Sequence, residues 1–460
     1  MPRGGIVKLA VTAMTLVALV LISTARGETA RGKNSDLLLP SPEESRLRYA
    51  AEYPAIGYAT VRPSESIAAL QAQLDGGERT LEYNKANGYL KAVLEALGID
   101  PASQLLVFSR TSVNIAHIRP ATPRAIFFND DAYVAWVPGS DMLEIATMDP
   151  QLGPVFFVLD QGETATPQFD RQTFQCLRCH DSLTLTGGGV PRFILGSGYV
   201  GTRGELVSHE GWILTTPQTP LKFRWGGWYV TGTHGEQPHL GNIIVKDPAT
   251  LQQLDSLRIG NLQSLEQFVD TGIYPGNYSD IVALLVIEHQ VHVQNLIARV
   301  SYDVRSALER DRQQQEIDNK GNEWSVSEET KSFIEEATEP LVKAMLFANE
   351  AALTSSVKGS SDFAKLFEAR GPFDSRGRSL RQFNLETRIF RYPLSYLVYS
   401  TAFDALPEIV REFIYLRFKE IFGGETADPA VARLQPEERT AILDILRATK
   451  PAFVSATGTE

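Results

Sequence analysis

The stretch RAIFFNDDAYVAWVPGSDMLEIATMDPQLGPVFFVLD, residues 124–160, decides the fold because it alternates short apolar runs with turn-forming residues. Runs rich in Val, Ile, Phe, Tyr and Trp are typical of strands, and clusters of Asn, Asp, Pro and Gly are typical of tight turns. Together with a run just before it, the stretch predicts a meander-like sheet. Its predicted strands are Leu105–Phe108, Ala125–Phe128, Ala132–Val137, Leu143–Ala146 and Val155–Leu159.

The segments on either side of this sheet differ from it in pattern. Apolar residues recur at helical spacing in Ile67–Leu74, Tyr89–Leu97, Asp280–Arg305, Glu408–Phe422 and Glu437–Thr449. Ser279 is predicted to cap the third of these helices. Ser325, followed by Glu328, predicts a further helix toward Leu353 that Pro340 kinks or restarts. We therefore predict an α+β fold with a mostly β N-terminal half and a helical C-terminal part.

A glycine-rich segment lies between these two parts. It contains Gly187-Gly188-Gly189 and Trp225-Gly226-Gly227-Trp228, with strand candidates only at Trp228–Val230 and Ile243–Val245. Glycine lets backbone approach a ligand closely, and aromatic rings supply an apolar wall. The predicted organisation is a signal peptide at 1–27, a mixed β-rich region at 28–165, a ligand-wrapping segment at 166–275 and a helical region at 276–460.

The composition excludes several classes of function. The chain of 460 residues carries a formal charge of −11, whereas nucleic acids and anionic membrane surfaces are bound by basic faces. We therefore expect no nucleic-acid partner.

The N-terminus has the pattern of an export signal. Arg3 and Lys8 precede an uncharged apolar run, Leu9–Ile22, and small residues follow at Ser23-Thr24-Ala25 and Ala25-Arg26-Gly27. The run is shorter than the roughly 20 residues of a membrane-spanning helix, so we expect cleavage rather than anchoring. Loss of residues 1–27 removes three basic residues and no acidic one, which takes the charge from −11 to −14. The sequence predicts a periplasmic or secreted protein without a membrane span in the mature chain.

The two cysteines carry the strongest chemical signal. They lie in Cys176-Leu177-Arg178-Cys179-His180, and the chain has no others. An exported protein that relies on disulfides usually has several scattered cysteines. In C-x-x-C-H, two thiols can reach the two vinyl groups of one porphyrin, and the imidazole that follows can bind its iron.

Other uses of these cysteines remain open at this point. A thioredoxin-like redox pair would follow a buried strand and open a long helix, whereas polar Asp170-Arg171-Gln172 precedes this motif and Gly187–Gly189 follows it. A zinc site would need one or two distant histidines as further ligands. A disulfide across two residues would be strained and would close too small a loop to stabilise much.

The motif resembles the haem-attachment site of c-type cytochromes. Flanking stretches, namely Thr122–Ile126, Arg224–Tyr229, His234–Asn242 and Arg391-Tyr392-Pro393, resemble exported bacterial proteins with a cytochrome c domain. The resemblance implies one covalent haem c on Cys176 and Cys179 with His180 as the proximal iron ligand, and it implies no particular activity. The chain lacks the short helical module of small soluble cytochromes c.

The distal ligand of the haem iron is harder to predict. His239 or His234, five residues apart in a glycine-rich loop, is our candidate. His289 and His292 lie three residues apart on one helix face, and Glu288 lies four residues before His292, so this group is an alternative source of a distal ligand with a supporting carboxylate. His289 falls among apolar residues, however, and is predicted to be a core histidine. Arg192 or Arg224 is a candidate partner for the haem propionates, with surface ion pairing as the alternative.

These observations favour an electron-transfer cytochrome with a redox partner protein. The length of the chain exceeds what the shelter of one haem requires. A haem enzyme of peroxidase or oxidase type with an open distal site, or a haem-based sensor or docking subunit, is therefore the alternative. No catalytic residue is assigned, and whether the chain is an enzyme stays open.

Overall fold

The computed structural model describes residues 51–64, 66–207, 211–247, 260–318, 324–424 and 434–458. The predicted signal peptide at 1–27 lies outside the described residues. The described residues all belong to one compact unit, which spans residues 41–460. A six-stranded antiparallel sheet lies in the N-terminal half and long helices lie in the C-terminal half, so the predicted α+β class is confirmed.

The large sheet is a simple meander in which each strand pairs with the next along the chain. Its strands are β1 Leu105–Val107, β2 Arg124–Phe128, β3 Ala132–Trp136, β4 Met142–Asp149, β5 Gly153–Asp160 and β6 Phe169–Arg171. The five strands predicted from sequence are all present within a few residues of their predicted ends. β6 was not predicted from the sequence, because a strand of three residues with one apolar side chain is too short to show an alternating apolar pattern.

The hairpin of β4 and β5 is the longest pairing, with Met142 opposite Asp160 and Asp149 opposite Gly153. Its turn is built by Asp149, whose Oδ1 accepts the N–H groups of Gln151 and Leu152 at 2.8 Å each. Gly153 has a φ of +67°, and a Cβ placed on it would lie 2.9 Å from the Cβ of Ala298. A glycine is therefore required here by both conformation and space.

The helices are mostly in the C-terminal half. They are α1 Ser66–Asp75, α2 Leu90–Ala96, α3 Leu177–His180, α4 Leu183–Thr186, α5 Ile281–Ile317, α6 Glu328–Met345, α7 Phe363–Ala369, α8 Thr401–Asp404, α9 Glu408–Gly423, α10 Pro436–Thr449 and α11 Pro451–Thr457.

Two helix starts differ from the predicted ones by one or two residues. Asp280, not Ser279, caps α5, accepting the N–H groups of Val282 and Ala283, because the Ser279 hydroxyl donates to the Tyr229 carbonyl instead. Ser327, not Ser325, caps α6. Pro340 lies inside α6 without ending it.

Helix α5 forms the centre of the molecule. Tyr133 of β3 donates to Gln294 of this helix at 2.6 Å, and Tyr302 donates to the Leu152 carbonyl at 2.7 Å. By length and composition alone α5 is apolar enough to cross a membrane, but 83% of its most apolar window is buried inside the protein. Burial of this kind is also what the core helix of a globular protein shows.

The glycine-rich segment has little regular structure. Its only paired strands among the described residues are β7 Gly196–Gly198 and β8 Trp212–Leu214. The strands predicted at Trp228–Val230 and Ile243–Val245 are wrong, since each forms only a single bridge. In the first of these segments the reason is that the backbone N–H groups of Tyr229 and Thr231 donate to different parts of the fold, to the carbonyls of Leu106 and Ser279.

Candidate functional site

The C-x-x-C-H motif forms a single helical turn. The His180 N–H donates to the Cys176 carbonyl at 3.0 Å, and the Cys179 N–H donates to the same carbonyl at 3.2 Å. Both cysteines are free; Cys176 is half-buried and Cys179 is exposed. One turn of helix therefore carries two unpaired thiols and an imidazole.

His180 is held in one orientation by its own loop. Its Nδ1 lies 2.6 Å from the Arg192 carbonyl oxygen, and the Arg192 N–H donates back to the His180 carbonyl at 2.8 Å. A carbonyl oxygen only accepts, so Nδ1 carries the proton and the lone pair is on Nε2. Burial lowers the pKa of His180, which keeps the ring neutral near pH 7. A neutral imidazole with Nε2 free is the form that binds a metal.

The sheet supplies the wall behind the motif. The Phe156 ring lies against the His180 ring, with centroids 4.3 Å apart. Phe156 pairs with Ala146 across β4 and β5, so Glu144, two residues from Ala146, lies on the same face of the sheet. Glu144 accepts hydrogen bonds from Arg124 at 3.0 Å and from Asn114 at 2.7 Å. An ion pair that is mostly buried therefore lies beside the motif.

The environment of Cys176 argues against a thioredoxin-like pair. Burial, and then the charge of Glu144, raises the pKa of its thiol to about 11. Redox-active thiols of that class have lowered pKa values at the start of a longer helix. Helix α3 ends at His180 after four residues.

The zinc and disulfide hypotheses gain no support from the geometry. Within the part of the chain that the structure describes, no group of three or more His, Cys, Asp and Glu side chains lies close enough to hold a metal ion. A structural zinc site needs four such ligands. The two cysteines are not bonded to each other.

Apolar side chains around the motif face solvent instead of the core. The exposed fractions of Phe174, Leu183 and Leu185 are 78%, 65% and 36%. Isolated exposed apolar residues are ordinary, whereas these three lie within seven residues of the motif on one side or the other of it.

Helix α5 fixes the chain that follows the motif. Asn295 accepts from the Phe193 N–H at 2.8 Å and donates to the Phe193 carbonyl at 2.9 Å. Arg299, one turn further on, donates to the Gly188 carbonyl at 3.1 Å. Gly187, Gly188 and Gly189 have φ values of +78°, +69° and +79°, so the chain turns sharply here. The loop that orients His180 is thus anchored to the central helix.

The predicted distal candidates, His234 and His239, contact each other. Their Nε2 atoms are 3.2 Å apart, His239 Nδ1 accepts from the Gly241 N–H, and His234 Nε2 accepts from the Asn261 N–H, both at 3.0 Å. Both rings are buried. Iron binding by His239 or by His234 Nε2 would have to replace these hydrogen bonds, whereas the buried His234 Nδ1 has no hydrogen-bond partner in the described chain. Among the described residues no contact places either ring beside His180, so the prediction of a distal ligand at His239 or His234 gains no support from the geometry.

The three polar residues of α5 that the sequence analysis singled out, Glu288, His289 and His292, have separate roles. His289 is buried, stacks on Phe347 and lies 2.8 Å from the Ser395 hydroxyl, as expected of a core histidine. Glu288 pairs with Arg224 at 2.8 Å, and both side chains are almost fully buried. His292 is half-buried, and burial together with the Arg192 charge lowers its pKa to about 4.

Arg124, Glu144 and Phe156 were not predicted as site residues. A signal for Glu144 was present in the sequence, because it is the one charged residue within the apolar run from Met142 to Met148. Its position beside Cys176 depends on strand pairing, which the sequence around the motif does not show.

Comparisons with protein-family models, with curated proteins and with solved structures find no match to this chain. The residues around Cys176, Cys179 and His180 therefore carry the functional interpretation by themselves.

Proposed function

We propose that this chain is an exported c-type cytochrome that carries one haem c on Cys176 and Cys179, with His180 as the proximal iron ligand. The observation that carries this proposal is the hydrogen bond from His180 Nδ1 to the Arg192 carbonyl at 2.6 Å. It leaves Nε2 as the metal-binding atom of a neutral ring, beside two free thiols on the same helical turn.

The residues around the motif suit a porphyrin. Phe174, Leu183 and Leu185 supply exposed apolar surface that a porphyrin face would cover. Haem iron supplies reversible one-electron transfer when it is bound. The side chain of Phe156 holds the proximal ring on its sheet side, which restricts the rotation of His180.

Export is part of the same proposal. In this proposal the N-terminal pattern at 1–27 directs the chain out of the cytoplasm. Haem c is attached after export, and the redox partner protein would meet the chain in the same compartment. The mature chain is proposed to lie free of the membrane.

The haem enzyme and the haem sensor remain alternatives because the distal ligand is unassigned. The two histidines predicted for that position, His234 and His239, hydrogen-bond to each other and to backbone N–H groups. An open iron position would favour the enzyme or sensor, and a protein ligand would favour the electron carrier.

The first test is covalent haem attachment in a host able to mature haem c. We expect the periplasmic wild-type protein to keep its haem through denaturing electrophoresis and to give a pyridine haemochrome spectrum of haem c. His180→Ala and the pair Cys176→Ala with Cys179→Ala should lose covalent haem. Arg178→Ala, at an exposed position inside the motif, is the matched control and should retain it.

Absence of covalent haem in the wild-type protein would refute the proposal. With haem attached, reduced spectra before and after carbon monoxide then separate the alternatives. Bands that carbon monoxide leaves unchanged would identify a six-coordinate electron carrier, and shifted bands would identify an enzyme or a sensor.

A further inference from the structure

Arg192 is a partly buried cation whose side chain has no direct hydrogen-bond or ion-pair partner among the described residues. Its Nε is buried and has no hydrogen-bond partner, and no carboxylate lies within ion-pair distance of it in the part of the chain that the structure describes. Burial, and then the charge of Arg299, lowers the pKa of the Arg192 guanidinium, and the more weakly acting charges of Asp303 and Asp181 oppose this change. A desolvated guanidinium in this state is costly unless an anion joins it.

The other partly or fully buried arginines near the site are already paired. Arg224 donates to Glu288 at 2.8 Å and to the carbonyls of Thr219 and Pro217 at 2.6 Å each. Arg124 is paired with Glu144 at 3.0 Å. Arg192 differs from both because its side chain has no such partner.

His292 of α5 is a second polar side chain near Arg192 that has no hydrogen-bond partner among the described residues. Neither ring nitrogen has a hydrogen-bond partner among the described residues, and the ring is close enough to Arg192 for that charge to act on it. Asn295, one turn along α5, holds Phe193, the neighbour of Arg192. A neutral imidazole and a guanidinium thus lie near each other, both with unused hydrogen-bonding capacity.

The position of Arg192 relative to His180 indicates which anion is near. Its backbone is tied to His180 by two hydrogen bonds, so Arg192 stays close to the proximal ligand. A haem brings two carboxylates with it, and a guanidinium binds a carboxylate through two parallel N–H donors.

We propose that Arg192, assisted by His292, binds a carboxylate of the attached haem. This inference rests on the proposed function, and it selects Arg192 over Arg224, since the N–H groups of Arg224 are taken by Glu288 and two carbonyls. Arg192 is a positioning residue in this role, because it orients the porphyrin without contacting the iron.

The test uses the full-length protein with haem attached, and the pyridine haemochrome assay comes first. If the wild-type protein lacks covalent haem, the proposed function fails and this inference fails with it. With haem attached, low-frequency resonance Raman spectra report the bending vibration of the haem carboxylates, which shifts when their hydrogen bonds change.

We expect Arg192→Leu to shift the carboxylate bending band and to lower the midpoint potential. Arg124→Leu is the matched control, since it also removes a cation whose charge acts on His180. It should lower the potential but leave the band unchanged. Arg192→Lys keeps the charge and loses the forked donor, so it should keep the potential near the wild-type value and shift the band; this variant serves if Arg192→Leu does not fold.

Two results would overturn the assignment. One is a bending band unchanged in the Arg192 variants, or shifted by Arg124→Leu instead. The other is a midpoint potential that changes with added sodium phosphate in the wild-type protein but not in Arg192→Leu, together with a bending band that is the same in both proteins. Arg192 would then bind a free anion and not the haem.

Discussion

At the scale of single residues, the carboxyl group of Glu350 has a strongly raised pKa. It lies partly buried near the ion pair of Arg224 and Glu288. Burial raises its pKa from 4.5 to about 8, the Glu288 charge adds to the increase, and the charges of Arg224 and Arg388 oppose it. Near pH 7 the folded protein therefore holds Glu350 mainly as the neutral acid.

This shift predicts a pH dependence of stability. Between about pH 4.5 and pH 8 the folded state binds a proton at Glu350 that the unfolded state has released. The protonated Glu350 side chain therefore contributes to the free energy of unfolding fully below about pH 4.5, and this contribution is lost as the pH rises through about 8. Each pKa unit corresponds to about 1.4 kcal/mol. Glu350→Gln should flatten the fall of the melting temperature between pH 5 and pH 9.

Thermal melts of the wild-type protein and Glu350→Gln across this range provide the measurement. Glu335→Gln is the control, since Glu335 lies exposed on α6. Parallel curves for all three proteins would show that Glu350 is not held neutral.

At the scale of elements, the contact of the β4–β5 hairpin with helix α5 leaves no room for a side chain at Gly153. Gly153→Ala would add a Cβ 2.9 Å from Ala298 Cβ at a φ of +67°. Strain of the left-handed conformation costs about 1–2 kcal/mol, and overpacking adds about 1–3 kcal/mol. We expect urea unfolding to show that Gly153→Ala lowers the free energy of unfolding by about the sum of these two costs.

Gly98→Ala separates the two effects. Gly98 has a φ of +63°, and a Cβ there would meet nothing within 4 Å, so only the conformational cost applies. Ala298→Gly should restore part of the stability of Gly153→Ala. Equal losses in Gly153→Ala and Gly98→Ala would mean that the hairpin does not press on α5.

The regular elements could be predicted because each has a local signal. The five strands of the meander have apolar runs bounded by turns, and α5 has uninterrupted helical periodicity. The cap of α5 was misplaced because Ser279 and Asp280 both have cap-forming side chains. Only the distant Tyr229 carbonyl, which accepts the Ser279 hydroxyl, decides between them.

The candidate site was predictable only in part. The motif itself gave Cys176, Cys179 and His180, but the carbonyl that orients His180 belongs to Arg192, beyond three glycines in left-handed conformations. Glu144 reaches Cys176 through strand pairing. The conformation of the glycine-rich segment is set by contacts with β1 and α5, and contacts of this range leave no periodic pattern in the sequence.

At the scale of the whole molecule, charge is the property most open to test. The formal charge is −11, or −14 after loss of residues 1–27. A chain of this sign attracts cations over about 10 Å at 0.1 M ionic strength and repels anions. Added salt should slow electron transfer from the reduced protein to hexaammineruthenium(III) and speed transfer to ferricyanide.

Stopped-flow rates at several salt concentrations test this expectation. The two reagents should show slopes of opposite sign. Slopes reversed in sign would mean that Arg178 and the other basic residues near the motif outweigh the net charge at the point of transfer.

Gly187, Gly188 and Gly189 have a consequence for how this protein can vary among organisms. All three adopt a left-handed backbone conformation that other residues rarely enter, and they connect the helical turn of the C-x-x-C-H motif to Arg192, whose carbonyl oxygen accepts the hydrogen bond from His180. Natural selection should therefore tolerate exchanges of the exposed Arg178 far more readily than exchanges in this triplet. Descendants of the same ancestor should be easier to recognise by C-x-x-C-H followed by three glycines than by the cysteine motif alone.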